Sequence, residues 1–279
     1  HRVDRRQRQM CIRDRYRYDA PSKAAKYGAV ATLIRSIGSG SMNTPHTGTM
    51  GEYTYHKKIP HAAITSEDAL MISRISKRGQ KVVLKLNMDG KFVEDRWSRN
   101  IIAELKGSTY PEEIIVVGGH IDSWDVGQGA HDDAGGCIAA WRAVTLIKEL
   151  GLKPRRTIRI VLWTNEENGG KGNENYKNEH LSELNNHILA IESDGGVFAP
   201  QGFGFTGSKK ARDYILNIAS LLDPIGAGTI TNWGRAADVA PLNDNGVPVM
   251  SLNVDNSKYF WYHHTCLLYT SPSPRDVEE

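Results

Sequence analysis

The chain has 279 residues, 39% hydrophobic and 24% charged, which is enough apolar material for one large domain or two smaller ones and excludes a wholly disordered chain. Its longest apolar runs, such as EIIVVGG and TIRIVLW, are strand-sized and far short of the roughly 20 residues of a membrane helix, so no membrane association is expected. The formal charge of +3 does not imply nucleic acid either, because Arg2, Arg5, Arg6, Arg8, Arg13 and Arg15 crowd one end in a string with no helical or strand period.

That string, RRQRQMCIRDR (5–15), matches the translation of the adapter used in transposase-made sequencing libraries, and CLLYTSPSPRD (266–276) matches its opposite-strand counterpart. Residues 1–15 and 266–279 are therefore expected to be adapter-derived rather than native, and to say nothing about the fold. Setting them aside removes six arginines and two aspartates from the front, one arginine and three acids from the back, and leaves a charge near +1. Cys11 and Cys266 go with them. Cys137 alone remains, which excludes a disulfide framework and suits a small core residue.

In chain order, AVATLIRSI reads as a buried strand, IPHAAIT as another, SEDALMISRISKRG as a helix with a Ser cap, early acids and a Gly stop, and QKVVLKLNM as an alternating strand. A loop rich in Gly, Ser, Thr and His lies between the first two. No catalytic constellation appears before about residue 105, so binding or capping is expected there rather than chemistry. From Lys106 the order is cleaner: EIIVVGGH, RRTIRIVLWTNEE, HILAIESD and VPVMSLNV read as strands, GGCIAAWRAVTLIKELG and SKKARDYILNIASLL as helices. Cys137, Ala140, Trp141, Val144 and Ile147 fall on one helical stripe. Ile/Val-rich strands alternating with helices predict an α/β fold, a mostly parallel central sheet with helices on both faces.

In such sheets ligands bind at the carboxyl ends of the strands. His120 and Asp122 close one predicted strand, Glu166 and Glu167 the next, and Asp194 the third, while His263 and His264 follow the aromatic run KYFWYHHT, read as a last strand and its loop. Each has a bland reading: Asp133 as a helix N-cap, His120 as a hydrogen-bonded loop residue, NEEN as a solvated charge pair. Together they make up the oxygen and nitrogen ligands that two zinc ions require, with one carboxylate spare for proton transfer.

VVGGHIDSWDVGQGAHDDAGG, LWTNEENGG, IESDGG and FWYHHT resemble the metal-binding motifs of the di-zinc aminopeptidase-type metallopeptidases, a zinc exopeptidase fold of the phosphorylase/hydrolase-like class. Carried over position by position, the resemblance implies two Zn2+ ions, with His120 and Asp194 on one, Glu167 and His264 on the other, and Asp132 bridging. It implies Glu166 as general base, Asp122 as the partner that fixes the tautomer of His120, and Asp133 as the acid that follows the bridging ligand. His46, His56, His61 and His131 are not expected to be ligands, and His263 yields to His264, which stands before Thr265. Trp124, Trp141 and Trp163 are expected in core or pocket walls, and Asp238 loosely matches an acidic position lining family active sites.

AAKYGAVATLIRSI resembles part of the protease-associated cap of these enzymes. The implied layout is a partial cap over 16–105 and a zinc peptidase domain over 106–265, truncated at its C-terminal end, between the two adapter segments. The implied activity is hydrolysis of short peptides, with no nucleic-acid or membrane partner. A homodimer in the full-length protein and a secreted, periplasmic or lysosomal location follow from the same resemblance, with any leader expected outside these residues. A glutaminyl cyclase-like enzyme using one zinc and a non-catalytic binding module are the other readings of this fold. The cyclase is opposed by five filled ligand positions, the binding module by the absence of substitutions among them. As written, the fragment is expected to be unstable or inactive.

Overall fold

The computed structural model describes residues 16–38, 43–51, 57–91 and 93–265. Two compact units account for them: one holds the described residues up to Arg96, Trp124–Gln128 and those from Phe260 onward, the other Trp97–Ser123 and Gly129–Tyr259. Both expected adapter segments, and His56, lie outside the described residues.

In the first unit a helix, α1, covers residues 16–26, and two short strands, β1 (Thr32–Arg35) and β2 (His61–Ile64), pair in parallel with Thr32 opposite His61. Helix α2 (Ser66–Lys77) follows β2. Its cap is Thr65, one residue before the expected serine, and the Thr65 hydroxyl accepts from Asp68 N at 3.0 Å. Glu67 and Asp68 in the first turn, with Arg74 and Lys77 in the last, complement the helix dipole. QKVVLKLNM forms no strand. Alternation makes a strand only where one face finds a core, and here Val83 and Leu84, which would point to opposite faces, are both exposed, at 77% and 56%.

The second unit carries a seven-stranded sheet: β3 (Ile101–Leu105), β4 (Tyr110–His120), β5 (Arg156–Trp163), β6 (His187–Glu192), β7 (Pro200–Thr206), β8 (Thr229–Thr231) and β9 (Val249–Val254). In space they run β3-β5-β4-β6-β9-β7-β8. All neighbours are parallel except β3 on β5 and β7 on β9. The helices are α3 (Gly135–Glu149), α4 (Lys171–Glu179), α5 (Lys209–Ala219) and α6 (Ala240–Asp244). This is the expected α/β class, a mixed and mainly parallel sheet with helices on both sides. The aromatic run departs from expectation: Tyr259–Tyr262 is a helical turn, α7, not a strand.

Val116, Val161, Val249, Ala190 and Trp163, from four adjacent strands, are 0% exposed and pack with Tyr176 and Leu242. Each large apolar side chain buried there contributes about 1.5–3 kcal/mol. Cys137, Ala140 and Val144 give α3 its buried stripe. Trp141 is not in it. Residues are 100° apart around a helix, which puts Trp141 on the flank of that stripe, and it is 51% exposed.

The sheet register fixes where the loops meet. His120 lies opposite Trp163 and Gly118 opposite Glu192, so the carboxyl ends of β5, β4 and β6 stand side by side at one edge. Two glycines let the start of α3 close onto that edge. A Cβ on Gly119 would lie 2.1 Å from Asp133 Oδ2, and one on Gly136 would lie 1.9 Å from Ser193 O.

Candidate metal centre

His120 ends β4 and is 1% exposed. Its Nδ1 lies 2.9 Å from the backbone oxygen of Asp122, an acceptor only, so Nδ1 carries the proton and donates. Nε2 is left as a lone pair. It faces Asp132 Oδ1 at 3.3 Å and Asp194 Oδ1 at 3.5 Å. Charge-assisted N–H···O bonds are about 2.7–2.9 Å long, so these contacts are too long to be good ones. Neither His120 Nε2 nor Asp194 Oδ1 makes a hydrogen bond among the described residues. Three ligand atoms within 4.8 Å of one another, turned inward with no proton well placed between them, form a cradle for a cation.

Without a metal the same carboxylates favour a second proton on His120, at Nε2, the position a cation would take over. Burial would lower the pKa of His120, but Asp132 and Asp194 outweigh it and hold the imidazole far above its ordinary range. Burial pushes Asp194 up further than His120 pulls it down, with Asp132 adding to the rise. Burial and then the charge of Asp194 take Asp133 up to about 9. So many acids in one buried space cannot all ionise unless positive charge enters with them.

Asp133, joined to Asp132 by a cis peptide bond, combines the bland reading with another. Its Oδ1 accepts from Gly136 N at 3.0 Å, as a helix cap does, while Oδ2 accepts from His120 N at 3.2 Å. It thereby ties the end of β4 to the start of α3.

Asp122 meets the imidazole of His120, the partner the resemblance gives it, through its backbone. Its carbonyl, rather than its carboxylate, makes the close contact with the imidazole; Asp122 Oδ1 stands 3.7 Å from His120 Nδ1. The carboxylate instead accepts from two consecutive amides, Glu166 N at 3.1 Å and Glu167 N at 3.3 Å. Glu167 is buried. Burial, then the charge of Asp194, raises Glu166 to about 7, a useful value for a base working near neutrality.

His264, in the other unit, has a left-handed backbone, with φ +54°. Its ring lies 5.4 Å from that of Trp124 and stacks on His263 at 3.6 Å between centroids. His46, His263 and His264 themselves bring three imidazole nitrogens within 4.8 Å of one another. Burial and then Arg17 hold the pKa of His46 down at about 2, so this ring is neutral. His61 bonds to Thr32 Oγ1 at 2.8 Å, and His131 stacks on Phe198 and takes Val197 N at 3.3 Å. Trp163 is core.

Glu192 and Asp238 are wholly buried beside the cradle. Glu192 Oε2 accepts from Val239 N at 2.9 Å and Asp238 Oδ1 from Asn173 Nδ2 at 3.2 Å. Burial, then Glu192, takes Asp238 up to about 9. Sequence reasoning passed over Glu192; the available signal was an acid directly after the apolar run Ile188–Ile191 of a strand.

Residues 100–276 match the model of peptidase family M28. The chain belongs to that family. This M28 chain is 48% identical to carboxypeptidase Q of Bos taurus over 250 residues, which are 90% of its own length and 53% of the relative's. The Homo sapiens carboxypeptidase Q is 47% identical over the same shares. The crystal structure of a peptidase M28 precursor from Shewanella amazonensis superposes with a TM-score of 0.85 at 40% identity, over 91% of this chain and 57% of that one. A zinc aminopeptidase from Bacillus subtilis, 18% identical with a TM-score of 0.59 over 89% of this chain and 60% of its own, shares the fold. The M28 chain spans about half the length of the curated relatives it matches.

Proposed function

We propose that this chain is the larger part of a zinc-dependent exopeptidase acting on short peptides, of the carboxypeptidase Q type, and that Glu166 is its general base. The observation that carries the proposal is the inward-facing trio of His120 Nε2, Asp132 Oδ1 and Asp194 Oδ1, with the imidazole proton held on the opposite nitrogen. Nitrogen and carboxylate donors of this kind fit zinc.

In this reading His120 and Asp194 would hold one zinc and Glu167 and His264 the other, with Asp132 as the ligand they would share. When bound, the zinc pair supplies Lewis acidity and makes water acidic enough to attack near neutral pH. Glu166 takes the proton of the attacking water and returns it to the leaving amine. Its raised pKa lets one carboxylate do both. Asp122 holds the amides of Glu166 and Glu167, so base and ligand are fixed by one anchor. The division at 105 into cap and peptidase domain, the adapter origin of both ends, an exported or lysosomal setting and a dimer of the longer protein belong to the same proposal. Among the described residues no helix is long and apolar enough to cross a membrane.

Glu166→Gln is expected to keep about two zinc ions per chain and lose about 10²–10⁴-fold in kcat on dipeptides. Metal analysis and steady-state kinetics on the same samples check it. Full activity would remove Glu166 from its role, and a metal-free native protein would leave a binding module of this fold.

A further inference from the structure

The stretch before residue 105 was expected to hold no chemistry, yet it supplies much of what holds His264 in place. Thr47 N donates to His264 O at 3.0 Å, and Thr47 Oγ1 donates to the same oxygen at 3.2 Å. In return, Thr47 O stands 3.3 Å from His264 Nδ1. Arg17 NH1 is also 3.4 Å from that nitrogen, which would require it to be an acceptor. That NH1, which has two hydrogens, lies nearer Thr47 O, and this acceptor-only carbonyl has two lone pairs, so it takes one hydrogen from NH1 and one from Nδ1. Nε2 of His264 is then the lone-pair nitrogen.

His46 grips the neighbouring residue. Its Nε2 is 2.9 Å from His263 Nδ1, while its own Nδ1 is buried with no hydrogen bond among the described residues. A buried donor without an acceptor is the costlier error, so His46 carries its proton on Nε2 and donates to His263. His263 in turn stacks on the His264 ring. The dipeptide is itself held: Ser36 Oγ, just beyond β1, accepts from His46 N at 2.9 Å and lies 2.9 Å from Ile64 O at the end of β2. A continuous path of hydrogen bonds thus leads from the β1–β2 pair to His264, whose left-handed backbone needs such support.

We infer that His46 and Thr47 are positioning residues for His264, fixing its backbone, its tautomer and its ring plane for metal binding. The inference rests on His264 being a zinc ligand. Outer partners of metal-bound histidines are worth about 10–100-fold in metal affinity.

The test measures zinc stoichiometry and affinity by chelator competition, and the visible spectrum of the cobalt-substituted chain, for the unaltered protein and for His264→Ala, His46→Phe, Thr47→Val and Thr47→Ser. Expected results are loss of one zinc in His264→Ala, and about 10–100-fold weaker binding of that same zinc with an altered cobalt spectrum in His46→Phe and Thr47→Val. Thr47→Ser, which keeps the hydroxyl, should bind as the unaltered chain does. If His46→Phe does not fold by circular dichroism, the two Thr47 variants decide. Unaltered affinity and spectrum in His46→Phe and Thr47→Val, alongside a lost zinc in His264→Ala, would overturn the positioning role and leave the ligand assignment standing. A Thr47→Ser variant as weak as Thr47→Val would overturn the hydroxyl's part. Two zinc ions at full affinity in His264→Ala would remove the assignment itself, and the inference with it.

Discussion

Asp122 serves the cradle with two different groups, its carbonyl and its carboxylate, and the division can be tested. Asp122→Ala keeps the carbonyl that accepts from His120 Nδ1 but removes both carboxylate anchors of the Glu166–Glu167 amides. The expected outcome is a fall in kcat of about 10–100-fold, with any zinc loss confined to one of the two ions. Metal counts on the purified variant check it, since loss of both would mean that the carboxylate also sustains His120. At this scale the candidate ligands are visible in the sequence. An acid or histidine at a strand end is visible in a string of letters, and so is a doubled Glu. What it did not display was which group of Asp122 makes which contact, or that Thr47 reaches His264 and His46 reaches His263, because hydrogen bonds between residues 217 apart leave no local signature.

Among the elements, β4, β5, β6, β9 and α3 were legible because each is an apolar run bounded by Gly, charge or turn residues, with its burial in step with its period. Strand β3, whose residues are almost all exposed, and β7, interrupted by two glycines, carry weak patterns and went unread. QKVVLKLNM fails for the converse reason, a pattern with no partner to satisfy it. Closure of α3 on the sheet edge leaves no room for a side chain at Gly136. Gly136→Ala would press a methyl against Ser193 O and the Asp133 carboxylate. A loss of about 1–3 kcal/mol is expected, as for overpacking elsewhere. Urea denaturation with zinc present reads it, and an unchanged midpoint would mean the loop after β6 gives way freely.

For the molecule as a whole, the buried acids set the pH response. Asp133 and Asp238 have folded pKa values near 9 without metal, against ordinary values of 3.8. Between pH 7 and 9 the unfolded chain has released these protons and the folded one has not, so stability must fall as pH rises. The slope is about 1.4 kcal/mol per pH unit for each acid still protonated. The lowered histidines, His46 and His187 among them, are neutral throughout this window, while His120, held far above its ordinary range, keeps its proton only in the folded chain and steepens the fall in the same direction. Denaturation midpoints in chelator are expected to drop from pH 7 to 9, and zinc should flatten the trend by holding the carboxylates ionised. A flat metal-free curve would mean these acids are already ionised in the folded chain.

The double grip of Asp122 also bears on motion. His120 and the amides of Glu166 and Glu167 are not spaced by the packing of two independent loops; both hang from the carbonyl and carboxylate of one residue. Thermal breathing of the β4 and β5 loops should therefore carry ligand and base together as one body, so that fluctuations large enough to move the site through space leave the separation between them nearly constant.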